Sequence, residues 1–111
     1  MRNLLVVLAA AVLCAPASAE PAAGEKVFQR YCVTCHGAKA DGKGPAARLF
    51  KPPPADLTAS TRSDQYKASI IRAGGAAVGR SSSMPPWGQE LDARQIDDLV
   101  EYLRSVKRTP L

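Results

Sequence analysis

The chain has 111 residues, a formal net charge of +5 and three cysteines. This length accommodates one small domain, and such a domain buries little apolar surface unless a staple or cofactor adds to its core. The 15 lysines and arginines are scattered along the chain. This scatter argues against nucleic-acid binding, because nucleic-acid-binding proteins gather their basic residues into a patch or stripe.

Residues 1–19 have the pattern of a secretory signal peptide. Arg2 supplies the positive start, an apolar run extends from Leu4 to Leu13, and Ala17-Ser18-Ala19 is a small-residue cleavage site. The apolar run is shorter than the ~20 residues that span a bilayer. An uncleaved anchor is therefore the weaker alternative, and we expect no transmembrane segment in the mature chain. The sequence predicts a mature domain over residues 20–111, exported to a bacterial periplasm.

Apolar side chains at three- and four-residue spacing predict an all-α fold of three main helices joined by long loops. The first helix is expected from about Ala22 to Cys35, because Gly37 is a natural stop. The second fits Asp64–Ala73, with Ser63 as its N-cap and Gly74-Gly75 at its end. No strand pattern is present.

The last helix is expected from about Ala93 to Lys107, with Asp92 as N-cap and Gln95 as its capping-box partner. Glycine, proline and serine dominate the two segments between the helices, about 38–58 and 76–89, which predicts loops. The first loop contains Lys51-Pro52-Pro53-Pro54, which is either a stiff segment along a cofactor edge or a surface spacer.

The first predicted helix ends in Cys32-Val33-Thr34-Cys35-His36, the attachment signature of a c-type haem. Residues i and i+3 share a helix face, so both thiols can bond to the edge of one macrocycle while His36 coordinates its iron. A zinc site would need a fourth ligand, and a thioredoxin-like redox pair would need a βαβ context. Cys14, the third cysteine, would leave with the signal.

Met84 is the best candidate for a second iron ligand. The mature chain contains no other histidine and no other methionine. Methionine is more often a core filler, but Met84 lies in the loop segment Ser83-Met84-Pro85-Pro86-Trp87-Gly88, where two prolines restrict the backbone. A lysine or a water molecule is the alternative ligand.

These residues together resemble the class I cytochrome c family over essentially the whole mature chain. The attachment motif matches, Gly24 and Phe28 resemble the family's first-helix pair, and Leu99 and Tyr102 resemble the pair that packs against it. The Met84-Pro85-Pro86-Trp87-Gly88 stretch, with Asp56-Leu57-Thr58 upstream, is most similar to the bacterial subgroup related to the cytochrome subunits of cbb3-type oxidases.

The resemblance implies one covalent haem c with its iron, His36 and Met84 as axial ligands, and a carbonyl of Pro45 that accepts a hydrogen bond from His36. Trp87 follows the methionine instead of preceding it, so it either touches the haem edge or packs under the Met84 loop. Arg72 and Tyr66 are candidates for holding the haem propionates.

The resemblance implies a one-electron carrier and no enzymatic activity, with redox proteins as donor and acceptor. Such a carrier is expected to be a monomer or to form transient complexes. The alternatives are a cytochrome subunit within a larger oxidoreductase complex and, less favoured, a small haem enzyme, which would need an open iron face and distal acid–base groups.

Overall fold

The computed structural model describes residues 10–109, and the regular structure within them is entirely helical. The α-helices are α1 (Pro21–Tyr31), α2 (Val33–His36), α3 (Asp64–Ala73) and α4 (Ala93–Ser105). Short 3-10 turns lie at Ala47–Leu49, Leu57–Ala59 and Ala76–Val78. The predicted all-α fold with three main helices is therefore confirmed.

The predicted signal peptide lies partly outside the described residues, which begin at residue 10. Residues 10–20 carry no regular structure and are exposed. Within residues 10–109, no helix combines the length and the apolar character that crossing a bilayer requires.

The first helix is broken at Cys32, where the sequence predicts a continuous helix. Cys32 has φ −116° and ψ −27°, outside regular helical geometry. The backbone bonds nevertheless continue through it, because Cys32 N donates to Phe28 O and His36 N donates to Cys32 O, both at 2.9 Å. The chain therefore bends at the first motif cysteine, and α2 carries Cys35 and His36 as a separate turn that ends at Gly37.

The two later helices begin at the predicted caps. The Ser63 side chain accepts a hydrogen bond from Tyr66 N at the start of α3. Asp92 and Gln95 form the predicted reciprocal capping box at the start of α4. The last helix ends at Ser105, two residues before the predicted end at Lys107.

The core is organised by the crossing of α1 over α4. A Cβ on Gly24 would lie 1.9 Å from the backbone oxygen of Asp98, so the two helix backbones touch at this point. One turn further, the rings of Phe28 and Tyr102 pack with centroids 5.3 Å apart. Phe28 and Leu99 are fully buried, which confirms that the two pairs named in the sequence form the helix–helix contact.

Candidate haem site

A cavity of about 520 Å³ opens beside the α1–α4 crossing. The side chains of Cys32, Cys35, His36 and Met84 all line it, although the methionine is separated from the histidine by 48 residues of sequence. The wall is mostly apolar and includes Phe28, Ile70, Ile71, Leu57, Leu99, Leu103 and the prolines 52–54. The structure thus brings the four principal predicted residues to one apolar cavity.

Both motif cysteines are free thiols on the cavity wall. Burial, with a smaller contribution from the neighbouring Cys35, raises the pKa of the Cys32 thiol to about 12. Burial thus favours the protonated form of the Cys32 thiol. Within residues 10–109, no group of three or more His, Cys, Asp or Glu side chains is arranged to hold a metal ion directly.

His36 is oriented by the backbone carbonyl of Ala55, whose oxygen lies 3.1 Å from the imidazole Nδ1. A carbonyl only accepts, so Nδ1 carries the proton and Nε2 keeps its lone pair. Burial lowers the pKa of His36, and the bond to Ala55 opposes this shift. Burial thus favours the neutral imidazole, and the Ala55 carbonyl selects the tautomer whose Nε2 is free to coordinate a metal.

The predicted bond between His36 and Pro45 is wrong, because the acceptor is Ala55. The turn that contains Pro45 packs on the backbone of α2 instead: Gly44 N donates to Cys35 O at 3.2 Å and Ala46 N donates to Thr34 O at 3.0 Å. This docking leaves Pro45 exposed and outside the cavity wall. The proline-rich run before Asp56 was the sequence signal that could have pointed to the Ala55 carbonyl as the acceptor.

Ala55 is held by its neighbours in the chain. The Asp56 carboxylate accepts from Thr58 N at 3.0 Å and from Thr58 Oγ1 at 2.6 Å, and Arg108 adds an ion pair at 2.9 Å. Leu57 N donates to Ala40 O at 2.8 Å. These bonds fix the segment on both sides of the residue that orients the imidazole.

Met84 is held by the two glycines that end α3. Its carbonyl accepts a hydrogen bond from Gly75 N at 2.9 Å. A Cβ on Gly74 would lie 3.2 Å from that same carbonyl, and one on Gly75 would lie 2.0 Å from Ser81 O and 3.3 Å from Met84 Cβ. The methionine loop therefore packs directly on the backbone of these two glycines, and this contact sets the distance between Met84 and the end of α3.

Trp87 combines a place on the cavity wall with packing beside the Met84 loop. It lines the cavity, and its half-buried ring packs against Tyr31 with centroids 5.2 Å apart. Its backbone N donates to Ile71 O at 2.8 Å. Trp87 therefore joins the methionine loop to both α1 and α3 while its ring forms part of the wall.

Three cationic side chains reach the cavity: Arg62, Lys67 and Arg80. Lys67 is only 6% exposed, and it forms no ion pair within 4 Å in the part of the chain that the structure describes. The hydrogen bond that Arg104 donates is the main cause that lowers the pKa of Asp64, and the charge of Lys67 adds a smaller effect. Of the two candidates for holding the propionates, Tyr66 lines the cavity, whereas Arg72 is exposed, lies outside the cavity wall and packs against Gly88.

These features fit a haem. The cavity has the size of a cofactor site, the thiols and the imidazole reach it from one short segment, and the apolar wall suits a macrocycle. Lys67 has no carboxylate within 4 Å among residues 10–109, and the haem propionates would supply an anionic partner for it. When bound, the group supplies one-electron redox chemistry through its iron.

Comparison with known proteins identifies the family of the chain. The family described as cytochrome c oxidase, cbb3-type, subunit III matches residues 19–103. The chain belongs to this family of c-type cytochromes. Covalently bound haem c with its iron is the cofactor of the family, and electron transfer is its general role. A comparison with curated protein sequences finds no match for this cytochrome.

Two solved structures share its fold. One is the Kuenenia stuttgartiensis reducing HAO-like protein complex Kustc0457/Kustc0458, with 27% identity and a TM-score of 0.64 over 77% of this chain. The cytochrome spans only 41% of that chain. The other is the KustC0563 c-type cytochrome, with 21% identity and a TM-score of 0.61, covering 77% of this chain and 98% of that chain.

Proposed function

We propose that this cytochrome is a periplasmic one-electron carrier in which Cys32 and Cys35 hold the haem through thioethers while His36 and Met84 coordinate its iron. The observation that carries the proposal is the shared cavity. The only histidine and the only methionine after residue 20 line it together with both thiols. A redox protein that keeps both axial ligands needs little rearrangement when it exchanges an electron.

The residues around the cavity have different roles in tuning the iron. The Ala55 carbonyl orients His36 and strengthens the imidazole as a donor. Met84 presents a neutral thioether sulfur, and thioether ligation raises the reduction potential relative to a second imidazole. The apolar wall excludes water and thereby disfavours the more highly charged oxidised state.

In this proposal, Lys67 is the main partner of the haem propionates. Lys67 pairs with a propionate inside the cavity, and Arg62 and Arg80 partner the propionates from exposed positions. Their charges offset those of the propionates, because an unpaired carboxylate inside an apolar cavity would carry a large desolvation cost.

The ligand assignment is tested by visible spectroscopy of the exported protein. Met84→Ala should abolish the methionine–iron absorption of the oxidised protein near neutral pH, while Met84→His should restore a six-coordinate iron without that absorption. Denaturing electrophoresis with haem staining should show covalent haem in both variants and none in Cys32→Ser/Cys35→Ser. An unchanged methionine band in Met84→Ala would contradict the proposal.

A complex subunit is the second candidate, because one structural match is a chain of a multi-protein complex of which this cytochrome spans 41%. Gel filtration of the native periplasmic protein at physiological salt separates the two functions. A free carrier elutes at the mass of one small domain, and a subunit elutes with its partners. Rapid carbon monoxide binding to the reduced native protein would instead indicate an open iron face and favour a haem enzyme.

A further inference from the structure

A carboxylate is buried where α1 begins, and its partner there is a backbone nitrogen. Asp98 on α4 is 6% exposed. Its Oδ1 accepts a hydrogen bond from the backbone N of Glu20 at 2.7 Å and another from Arg94 Nε at 3.1 Å. Asp98 is thus one of few buried charged residues, and the haem site does not use it.

The nitrogen that Asp98 binds belongs to the peptide bond at the predicted cleavage point. Ala17-Ser18-Ala19 precedes it, and residues 10–20 are exposed and without regular structure, as a protease substrate requires. Hydrolysis of the Ala19–Glu20 bond consumes one water molecule. Ala19 leaves as a carboxylate, and the Glu20 nitrogen takes up protons and becomes an ammonium group.

We propose that removal of the signal converts this hydrogen bond into a partly buried ion pair between the new Glu20 α-ammonium and Asp98. The proposal does not depend on the haem. Charge-assisted hydrogen bonds between two ions are stronger than those of a neutral amide. Asp98 also offsets the repulsion that an ammonium group meets at the positive end of the α1 dipole.

The position of the nitrogen is well defined. Glu20 O accepts from Gly24 N at 3.0 Å in the first turn of α1, and Gly24 lies directly on the backbone of Asp98. Cleavage at Ala19–Glu20 puts the ammonium on the atom that already lies 2.7 Å from the carboxylate. Cleavage one bond later would remove that nitrogen from the protein.

Arg94 loses one of its two partners in the same step. Its Nη2 donates to Ser18 O at 2.7 Å, and this bond is lost when the signal leaves. Its Nε bond to Asp98 joins two residues of the mature chain and remains. Asp98 then faces two cations, Arg94 from its own helix and the Glu20 ammonium from α1.

The test is a double-mutant cycle on the secreted holoprotein. Intact mass should first show that the mature protein begins at Glu20. Asp98→Asn is then compared in this protein and in a form that retains Ser18-Ala19. The substitution should raise the unfolding constant roughly fivefold more in the mature form, because only there is the nitrogen of Glu20 an ammonium group; in the extended form that nitrogen is a neutral amide and the charge lies two residues away on Ser18. Asp97→Asn, an exposed charge on the same helix, should have equal effects in both.

A second measurement needs no substitution. The pH dependence of Glu20 α-amine acylation, followed by mass spectrometry, should give a pKa above the ordinary value of about 8, by an amount limited by the like charge of Arg94. A different N-terminus, an ordinary α-amine pKa, or equal effects of Asp98→Asn in the two forms would each overturn the proposal.

Discussion

The glycine pair at the end of α3 makes a specific prediction about the methionine loop. A methyl group at Gly75 would lie 2.0 Å from Ser81 O, where ordinary contact begins at 3.4 Å. Gly75→Ala must therefore displace Ser81, three residues before Met84, by about 1.4 Å, the difference between these two distances. Metal–ligand distances tolerate only about 0.2 Å, so the loop must deform or Met84 must leave the iron.

The energetic cost follows from overpacking. Forcing a methyl group into packed backbone costs about 1–3 kcal/mol. Gly75 has φ −64° and ψ −40°, so alanine brings no backbone strain and recovers about 0.4–1 kcal/mol through the unfolded chain. The gain through the unfolded chain does not affect the equilibrium between methionine-bound and methionine-free folded protein, so about 1–2 kcal/mol of the overpacking cost should weaken methionine ligation by a factor of about 5–30.

The assay is a pH titration of the methionine–iron absorption in the oxidised protein. Gly75→Ala should lose this band at a pH about one unit below the wild type, since 1.36 kcal/mol corresponds to one pH unit. Gly79→Ala is the matched control: its φ of +71° is strained for alanine, but no atom lies within 4 Å of the added methyl. The reasoning would be refuted if Gly75→Ala lost the band at the same pH as the wild type, or if this pH fell equally in both variants.

Three further predictions concern the helix crossing, the buried cation and the histidine support. Gly24→Ala should lower the free energy of unfolding by about 2–3 kcal/mol in urea titrations, because the methyl group would lie 1.9 Å from the backbone oxygen of Asp98. The control Ala22→Gly, at an exposed position, should lower it by only about 1 kcal/mol. Lys67→Met should lower the reduction potential in voltammetry, because a positive charge that lines the haem cavity is lost, while the exposed Lys26→Met should leave the potential unchanged. The hydrogen bond from Thr58, assisted by Arg108, lowers the pKa of Asp56. The stability that the Asp56 carboxylate contributes is therefore present above the ordinary aspartate pKa of about 3.9, and it is lost as pH falls through the depressed pKa. Asp56→Asn should therefore destabilise the protein in urea at pH 6 and have little effect near pH 2; an equal loss at both pH values would show that the carboxylate charge is not responsible.

Local signals in the sequence predicted much of the fold. The starts of α3 and α4 follow from Ser63 and Asp92, because an N-cap acts on donors two or three residues away. The contact of Gly24 and Phe28 with the last helix was expected from resemblance, and the structure confirms it. The break at Cys32 was missed because apolar periodicity continues unchanged through a bend that alters the backbone angles of a single residue.

The candidate site divides in the same way. Sequence alone determined the donor atoms that this cytochrome can offer a haem, because the residue types and the spacing of Cys32, Cys35 and His36 are properties of one short segment. Only the tertiary structure decided which backbone carbonyl orients the histidine, which cation reaches the cavity and what supports Met84. Ala55, Lys67 and Gly75 act through contacts between distant segments, and such contacts exist only once the packed helices have set the distances between them.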